Sequence, residues 1–317
     1  MEKDFQEKII SKVKEYLKIK IADIKIPPQG MDSQVFFVTD ADGREYTIKC
    51  YARGLSGDIL AFKLLEENKI DIPVPKVFGV FTFENKQVSI LEKINFPLLD
   101  SIPADQMSRY ISSMVNNLKK IHGVKSDKAG FLTEIDKELS WKEVMLSKFT
   151  GANPDLDWKE IVTRESLDSK LLLDSVENII KKIERTDFID KDYSLLHTDF
   201  NQRNLFVNPD SDEITAIIDW VEAMFGDPIY DFARVRMYIW HFNLSDDTLE
   251  KYYELLSFTP EQKQLEKLYW LSRVIEYLAY YSEELNEFNR GRVKLHQDFL
   301  RAYEWGKDES SVTYKNH

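Results

Sequence analysis

Asp199 and Asn204 stand five positions apart just after the apolar run Ser194-Leu195-Leu196, and Asp219 closes a second apolar run, Thr215-Ala216-Ile217-Ile218. A carboxylate set beside segments that read as buried strands is costly unless it is paired, hydrogen-bonded or holding a metal. Fifteen residues separate Asn204 from Asp219, and a hairpin between them would bring the amide and the carboxylate side by side. Both are hard oxygen donors suited to Mg²⁺, which keeps few protein ligands and takes the rest from water and phosphates. Asp199 would then lie close to the ion without binding it, placed to accept a hydroxyl proton. Taken singly, each of the three is an ordinary turn or cap residue. Taken together, each after an apolar strand, they favour chemistry on a phosphate.

The surrounding pattern predicts the elements that must position these groups. Phe5, Ile9, Ile10, Val13, Tyr16 and Leu17 form the stripe of an amphipathic helix. Two strand-like runs, Ser33–Asp40 and Arg44–Tyr51, flank the turn Ala41-Asp42-Gly43 and read as a hairpin. A helix over Asp58–Asn68 is stopped by Pro73, and two further strands follow, Lys76–Phe83 and Lys86–Ile94. Strand, strand, helix, strand, strand describes a small antiparallel lobe ending near residue 95, so the expected domains are 1–95 and 96–317. Beyond the crossover, Met107, Tyr110, Ile111, Met114, Val115, Leu118 and Ile121 predict one continuous helix. Residues 126–170 read as an irregular insert with short helices, and residues from Asp246 to Trp305 as helical again. The expected fold class is α+β.

Composition narrows the partners. The 317 residues are 43% hydrophobic and 31% charged, with 55 acidic against 43 basic side chains and a formal net charge of −12. Such a chain is expected to repel nucleic acid and anionic membranes and to attract cations. No apolar run reaches the roughly 20 residues of a membrane helix, and the charged opening helix is unlike a signal peptide. One cysteine, Cys50, leaves no internal disulfide and fits a cytoplasmic location. Oligomeric state is not legible.

The run His197-Thr198-Asp199 with Asn204, followed by Ile218-Asp219-Trp220, resembles the aminoglycoside phosphotransferase family, antibiotic kinases that share the protein-kinase fold. The continuation IIDWVEAMFGDPIYDFA is similar to its hygromycin B phosphotransferase branch. The resemblance covers residues from about 20 to about 240 and implies a bilobal fold, a small antiparallel-sheet N-lobe and a larger, mainly helical C-lobe. It makes Asp199 the catalytic base, Asn204 and Asp219 the Mg²⁺ ligands, His197 a brace, and Asp231 a buried holder of the catalytic loop.

For ATP, Lys49 would hold the phosphates and Asp58 would pair with it, with Glu66 or Glu67 the alternatives; the resemblance implies that most relatives carry Glu where this chain has Asp58. Gly30 and Ser33 would cover the phosphates in a glycine-poor loop. Main-chain atoms of Glu92 and Ile94 would read the adenine edge, and Phe96-Pro97, where relatives often carry glycine, leaves ATP and GTP both open. Thr198 replaces the arginine of protein kinases, and only twelve residues separate Asp219 from Asp231. Both features favour a small-molecule acceptor over a peptide.

Glu222 is the expected local acceptor contact, with acids and tyrosines of the C-terminal helices, Glu276 and Tyr277 among them, attracting ammonium groups and packing on sugar rings. The implied reaction is phosphorylation of a cationic aminoglycoside-type antibiotic. Alternatives are a macrolide, choline, a sugar or a metabolic alcohol as acceptor, or a kinase-like binding protein without activity.

Overall fold

Ile9 and Val13, one helical turn apart, are wholly buried on one face of α1 (Lys3–Leu17), as a stripe lying on a core requires. A computed structural model describes residues 3–27, 33–51, 57–137, 139–151 and 156–305. After α1 come β1 (Ile21–Lys25), β2 (Ser33–Asp40), β3 (Glu45–Tyr51), α2 (Gly57–Glu67), β4 (Val77–Phe83) and β5 (Lys86–Glu92). Two 3₁₀ segments, Leu99–Ser101 and Ala104–Tyr110, lead into α3 (Ile111–Ile121) and the short strands β6 (Lys125–Ser126) and β7 (Gly130–Phe131). The insert holds α4 (Trp141–Ser147) and α5 (Trp158–Ile161), and α6 (Ser169–Arg185) follows. Strands β8 (Tyr193–Leu196), β9 (Leu205–Asn208), β10 (Glu213–Ile217) and β11 (Met224–Gly226) precede α7 (Ile229–His241), α8 (Asp246–Leu256), α9 (Pro260–Tyr281) and α10 (Glu287–Ala302).

Packing divides the chain into two compact units. One runs to Ile102 and includes Gln202–Glu222; the other takes Pro103–Asn201 and everything from Ala223 onward. The boundary therefore lies beyond residue 95, and the β9–β10 hairpin belongs with the first unit. Backbone bonds explain this. Leu98 pairs with Phe206, the Asp100 N–H donates to the Gln202 carbonyl (3.0 Å), and the Ile217 N–H donates to the Pro73 carbonyl (2.8 Å).

In the first unit the sheet order is β1-β2-β3-β5-β4, antiparallel throughout. Gly43, at φ 82°, makes the expected turn between β2 and β3. Alternation along β3 sends Tyr46, Ile48 and Cys50 into a core shared with Ile9, Val13, Phe36, Val38, Val88 and Ile90. Lys49, between two of these positions, belongs to the opposite face.

In the second unit β6-β8-β11-β7 form a small sheet. α9 packs against α6, α7 and α10, and α3 packs against α7 and α8. A capping box between Thr259 and Gln262, with Pro260 in the first turn, starts α9 where the sequence turns apolar. The single helix expected from Met107 to Ile121 is a 3₁₀ segment to Tyr110 followed by α3. Met107 and Tyr110 are three apart, a spacing that satisfies 3.0 residues per turn as well as 3.6, so periodicity does not separate the two. No described helix is long and apolar enough to cross a membrane.

α7 and α10 meet at a histidine pair. The His296 Nδ1–H donates to the Arg292 carbonyl (2.7 Å), so its Nε2 accepts from the His241 Nε2–H (3.3 Å), and both rings are neutral. Burial pushes the His296 imidazole down to about 4, and burial, followed by the proximity of His296 and the Arg292 guanidinium, pushes His241 down as well. A depressed folded value stabilises the fold above pH 6.5, and this contribution is lost as pH falls from there toward 4, because only the unfolded chain takes the protons. The expected loss is on the order of 3 kcal/mol for His296 alone. Urea midpoints should fall from pH 7.5 to pH 5, above the window where the lowered carboxylates titrate, and His296→Phe should flatten that slope. A parent midpoint constant across this interval would contradict the neutral pair.

Candidate active site

The first unit gathers the charged groups that the sequence singled out. Lys49 Nζ donates to Asp58 Oδ2 at 2.9 Å and to Asp219 Oδ1 at 2.7 Å. Asp58 is fully buried and has further donors: the Tyr51 hydroxyl reaches Oδ2 at 2.6 Å, and the Trp220 backbone N–H reaches Oδ1. Burial alone would depress the Lys49 ammonium, but Asp58, Asp219 and Tyr51 outweigh it and hold its pKa above the lysine range. Burial likewise opposes the Asp58 charge, and Lys49 and Tyr51 overcome it, so the carboxyl titrates below its usual value. The pairing residue is thus Asp58; Glu66 and Glu67 are exposed on α2.

A shorter acid can do this because of the residue before it. A Cβ on Gly57 would lie 2.4 Å from the Trp220 carbonyl oxygen and 2.5 Å from that of Val221. Glycine lets the start of α2 approach the backbone directly after Asp219, which offsets the methylene that Asp58 lacks relative to glutamate.

Asn204 and Asp219 flank the β9–β10 hairpin. Leu205 pairs with Ile217, and the Ile218 N–H donates to the Asn204 carbonyl at 2.9 Å, as the sequence reading requires. Asp219, at φ 67°, turns out of the strand with its side chain 44% exposed, whereas Asn204 is buried. Among the described residues no group of three or more His, Cys, Asp or Glu is arranged to hold a metal. One carboxylate and one amide nevertheless match an ion that draws most of its ligands from phosphate and water, so the donor set fits Mg²⁺.

The second unit holds Asp199. Its loop leaves β8 through His197 and Thr198, whose backbone N–H groups each donate to the Asp231 carboxylate at 2.8 Å. His122, at the C-terminal end of α3, places Nε2 3.2 Å from Asp231 Oδ2. The buried His197 ring packs edge-on to Phe200. Thr198 is at φ 70°, a strained conformation for a β-branched residue, and its carbonyl accepts from Arg273 Nη2 at 2.6 Å. Asp199 is 35% exposed and accepts from Arg234 Nη2 (2.8 Å) and the Tyr277 hydroxyl (3.1 Å), both on Oδ1. Burial opposes its charge, but Arg234 and then His197 and Arg273 hold it below the usual carboxylate range.

Other expected residues stand less close to this chemistry. Ser33, half-buried, opens β2 opposite Tyr51, and Gly30 lies outside the described residues. At the end of β5 the Glu92 N–H is already committed to the Lys76 carbonyl (2.8 Å), so this N–H is taken up within the sheet. Glu222 is exposed. Glu276 is 11% exposed and paired with Lys148 (3.2 Å) and Arg273 (3.3 Å), so it is an internal counter-ion and not an attractor of ammonium groups. Tyr252 and Tyr253 donate to buried Glu266. Sequence reasoning missed Gly57, Arg234 and Arg273. The available signal was spacing: Arg234 follows Asp231 by three residues and Tyr277 follows Arg273 by four, so each pair shares one helix face.

A compact antiparallel-sheet unit carrying the lysine–acid pair and the hairpin acid, with a helical unit carrying the loop aspartate, defines a kinase-like small-molecule phosphotransferase fold. The chain matches the phosphotransferase enzyme family over residues 23–265 and belongs to it. Hygromycin-B 4-O-kinase of Escherichia coli is 22% identical over 223 residues, which span 68% of this chain and 62% of that protein. Among solved structures, a thermostable mutant of aminoglycoside phosphotransferase APH(4)-Ia superposes with a TM-score of 0.69 at 19% identity, covering 91% of this chain and 96% of that one. An asparagine-to-alanine form of a thermostable mutant of the same phosphotransferase, a ternary complex with AMP-PNP and hygromycin B, superposes with a TM-score of 0.68 at 19% identity, covering 92% and 96%. The AMP-bound spectinomycin phosphotransferase APH(9)-Ia aligns with a TM-score of 0.65 at 17% identity, over 94% and 98%.

Gly57→Ala tests the close approach. At an unconstrained helical position alanine would stabilise by roughly 0.5–1 kcal/mol. Here it meets two backbone oxygens that cannot swing aside, so it should destabilise by about 1–3 kcal/mol in urea unfolding. A gain in stability would show that α2 does not need this proximity.

Proposed function

We propose that this protein is an Mg²⁺-ATP-dependent O-phosphotransferase whose acceptor is a small hydroxylated cation, most naturally an aminoglycoside-type antibiotic. The observation that carries the reading is the pairing of Lys49 with both Asp58 and Asp219, in the unit that also holds Asn204. An ammonium has three donors; two go to these carboxylates, and the third would take a phosphate oxygen of ATP. Asn204 and Asp219 would hold the Mg²⁺, which when bound offsets charge on the phosphates. Ser33 and Gly30 would lie over the phosphates, and Glu92 and Ile94 along the base.

Asp199, kept ionised by its neighbours, accepts the hydroxyl proton. The acceptor oxygen forms a bond to the γ-phosphorus as the bond from that phosphorus to the β–γ bridging oxygen breaks, and ADP leaves. Rate enhancement comes from positioning and charge stabilisation. Glu222, exposed three residues after Asp219 in the segment beyond β10, would be an acceptor contact. Support for an antibiotic acceptor comes from the relatives at 22% and 19% identity named above and from the acidic surface of the chain. No nucleic-acid or membrane partner is included in the reading, and a cytoplasmic location accords with dependence on ATP.

The test is ADP release with a panel of acceptors: hygromycin B, spectinomycin, other aminocyclitols, a macrolide, choline and simple sugars, each with ATP and with GTP. Turnover of an aminocyclitol is expected. Turnover of only one of the others would change the acceptor class; no ADP release, with no Mg-ATP shift in Tm, would sink the phosphotransferase reading. Asp199→Ala should lower kcat by about 10²–10⁴ while nucleotide affinity stays near the parent's, measured by calorimetry. Parental turnover in this variant would remove Asp199 from the mechanism.

A further inference from the structure

Two helices of the second unit grip one oxygen of the same carboxylate. Arg234, on α7, donates Nη2–H to Asp199 Oδ1 at 2.8 Å, and the Tyr277 hydroxyl, on α9, donates to the same oxygen at 3.1 Å. The two donors also brace each other, since the guanidinium carbon lies 4.2 Å from the centre of the Tyr277 ring. Arg234 is 7% exposed, so it is a desolvated cation aimed at a partly exposed acid. Tyr277 lies beyond the span over which the family match extends, residues 23–265.

We infer that Arg234 and Tyr277 are positioning residues for phosphoryl transfer: by fixing Oδ1 from two helices they set the plane of the Asp199 carboxylate, and with it the direction in which the acid takes the acceptor's proton. The inference rests on the reading of Asp199 as the base. A carboxylate free to rotate about its last torsion presents either oxygen over a wide arc. One tied through Oδ1 to a planar fork and a phenol does not, and the direction of its second oxygen follows.

The same contacts oppose protonation. The other charged groups around the loop are Arg273 on α9, which donates to the Thr198 carbonyl, His197 beside it, and Asp231 with His122 behind it. With Arg234 the largest favourable influence on the ionised form, the carboxyl stands below its ordinary range. Arginine suits this place better than lysine, because a point charge on a flexible stem neither forks nor stacks.

Arg234→Gln, Arg234→Lys and Tyr277→Phe separate a positioning role from a purely structural ion pair. In Arg234→Gln the acid limb of the kcat/KM profile should move up by about 1–3 pH units, and kcat should fall by roughly 10²-fold, with KM for ATP unchanged. Arg234→Lys should restore the limb but only part of kcat. Tyr277→Phe should lower kcat less, again at constant KM for ATP, and it keeps the test open if Arg234→Gln does not fold. The Asp199 carboxyl ¹³C titration, assigned by its absence in Asp199→Asn, reads the same effect without turnover and should move up in Arg234→Gln.

An active parent whose Arg234 and Tyr277 variants keep its pH profile, kcat and carboxyl titration, losing only Tm, would overturn the inference. A parent that turns over no acceptor sinks the phosphotransferase reading whatever the titration shows.

Discussion

The Asp231 carboxylate is the fixed point of the second unit. It is fully buried, and it accepts from two consecutive backbone N–H groups, those of His197 and Thr198, at 2.8 Å each. These amides meet the two oxygens of one carboxylate, and Thr198, which carries the second of them, holds φ 70°. That conformation costs on the order of 1–3 kcal/mol. Each hydrogen bond to a charged acceptor contributes about 1.5–3 kcal/mol, so the pair of bonds, with Arg273 on the Thr198 carbonyl, outweighs the strain. The result is a loop whose next side chain, Asp199, leaves the backbone in a direction set by a buried acid and not by its own preference.

The first unit solves the same problem with another buried acid. Asp58 joins α2 to β3 through Lys49 and Tyr51, and to the segment after β10 through the Trp220 N–H. Every donor it meets carries or favours the ionised form, which is why its pKa goes down despite burial. The short reach of aspartate makes this dependent on Gly57, a residue with no chemistry of its own. The short acid and the glycine beside it work as a pair, in which backbone proximity stands in for side-chain length.

These two acids also show what a sequence can reveal. Asp199, Asn204 and Asp219 were legible because their spacing is local: strand, loop, strand and hairpin keep the pattern within some twenty residues. The hairpins β2–β3 and β9–β10 were legible for the same reason, since alternation and turn residues act between neighbours. The first unit's boundary was not, because Leu98 pairs with Phe206 across more than a hundred positions and nothing in either strand announces its partner. Arg234 and Tyr277 were hidden differently. Each sits on a helix that reads as ordinary, and only the crossing of α7 and α9 brings them to one oxygen. The start of α3 at Ile111, and not at Met107, was hidden because three-residue spacing fits two kinds of helix.

The electrostatics of the helical unit bear on what it can bind. An acidic chain suggests acids waiting for a cation, yet the buried acids here are already committed: Glu276 to Lys148 and Arg273, Glu266 to Arg236, Tyr252 and Tyr253, Asp231 to the loop. Asp199 itself faces Arg234, with Arg273 one residue away along the loop. A cationic acceptor of the proposed kind would therefore meet near-neutral ground beside Asp199, where the proposed reaction needs its hydroxyl and not its ammonium group. Attraction must come from exposed acids such as Asp246, Asp247, Glu283 and Glu284, which act through solvent over a Debye length of about 8–10 Å. Such a field draws a polycation in without fixing which amine lies where. On the proposed reading, selection of the reacting hydroxyl would then fall to the direction of the Asp199 carboxylate, the feature that Arg234 and Tyr277 would hold in place.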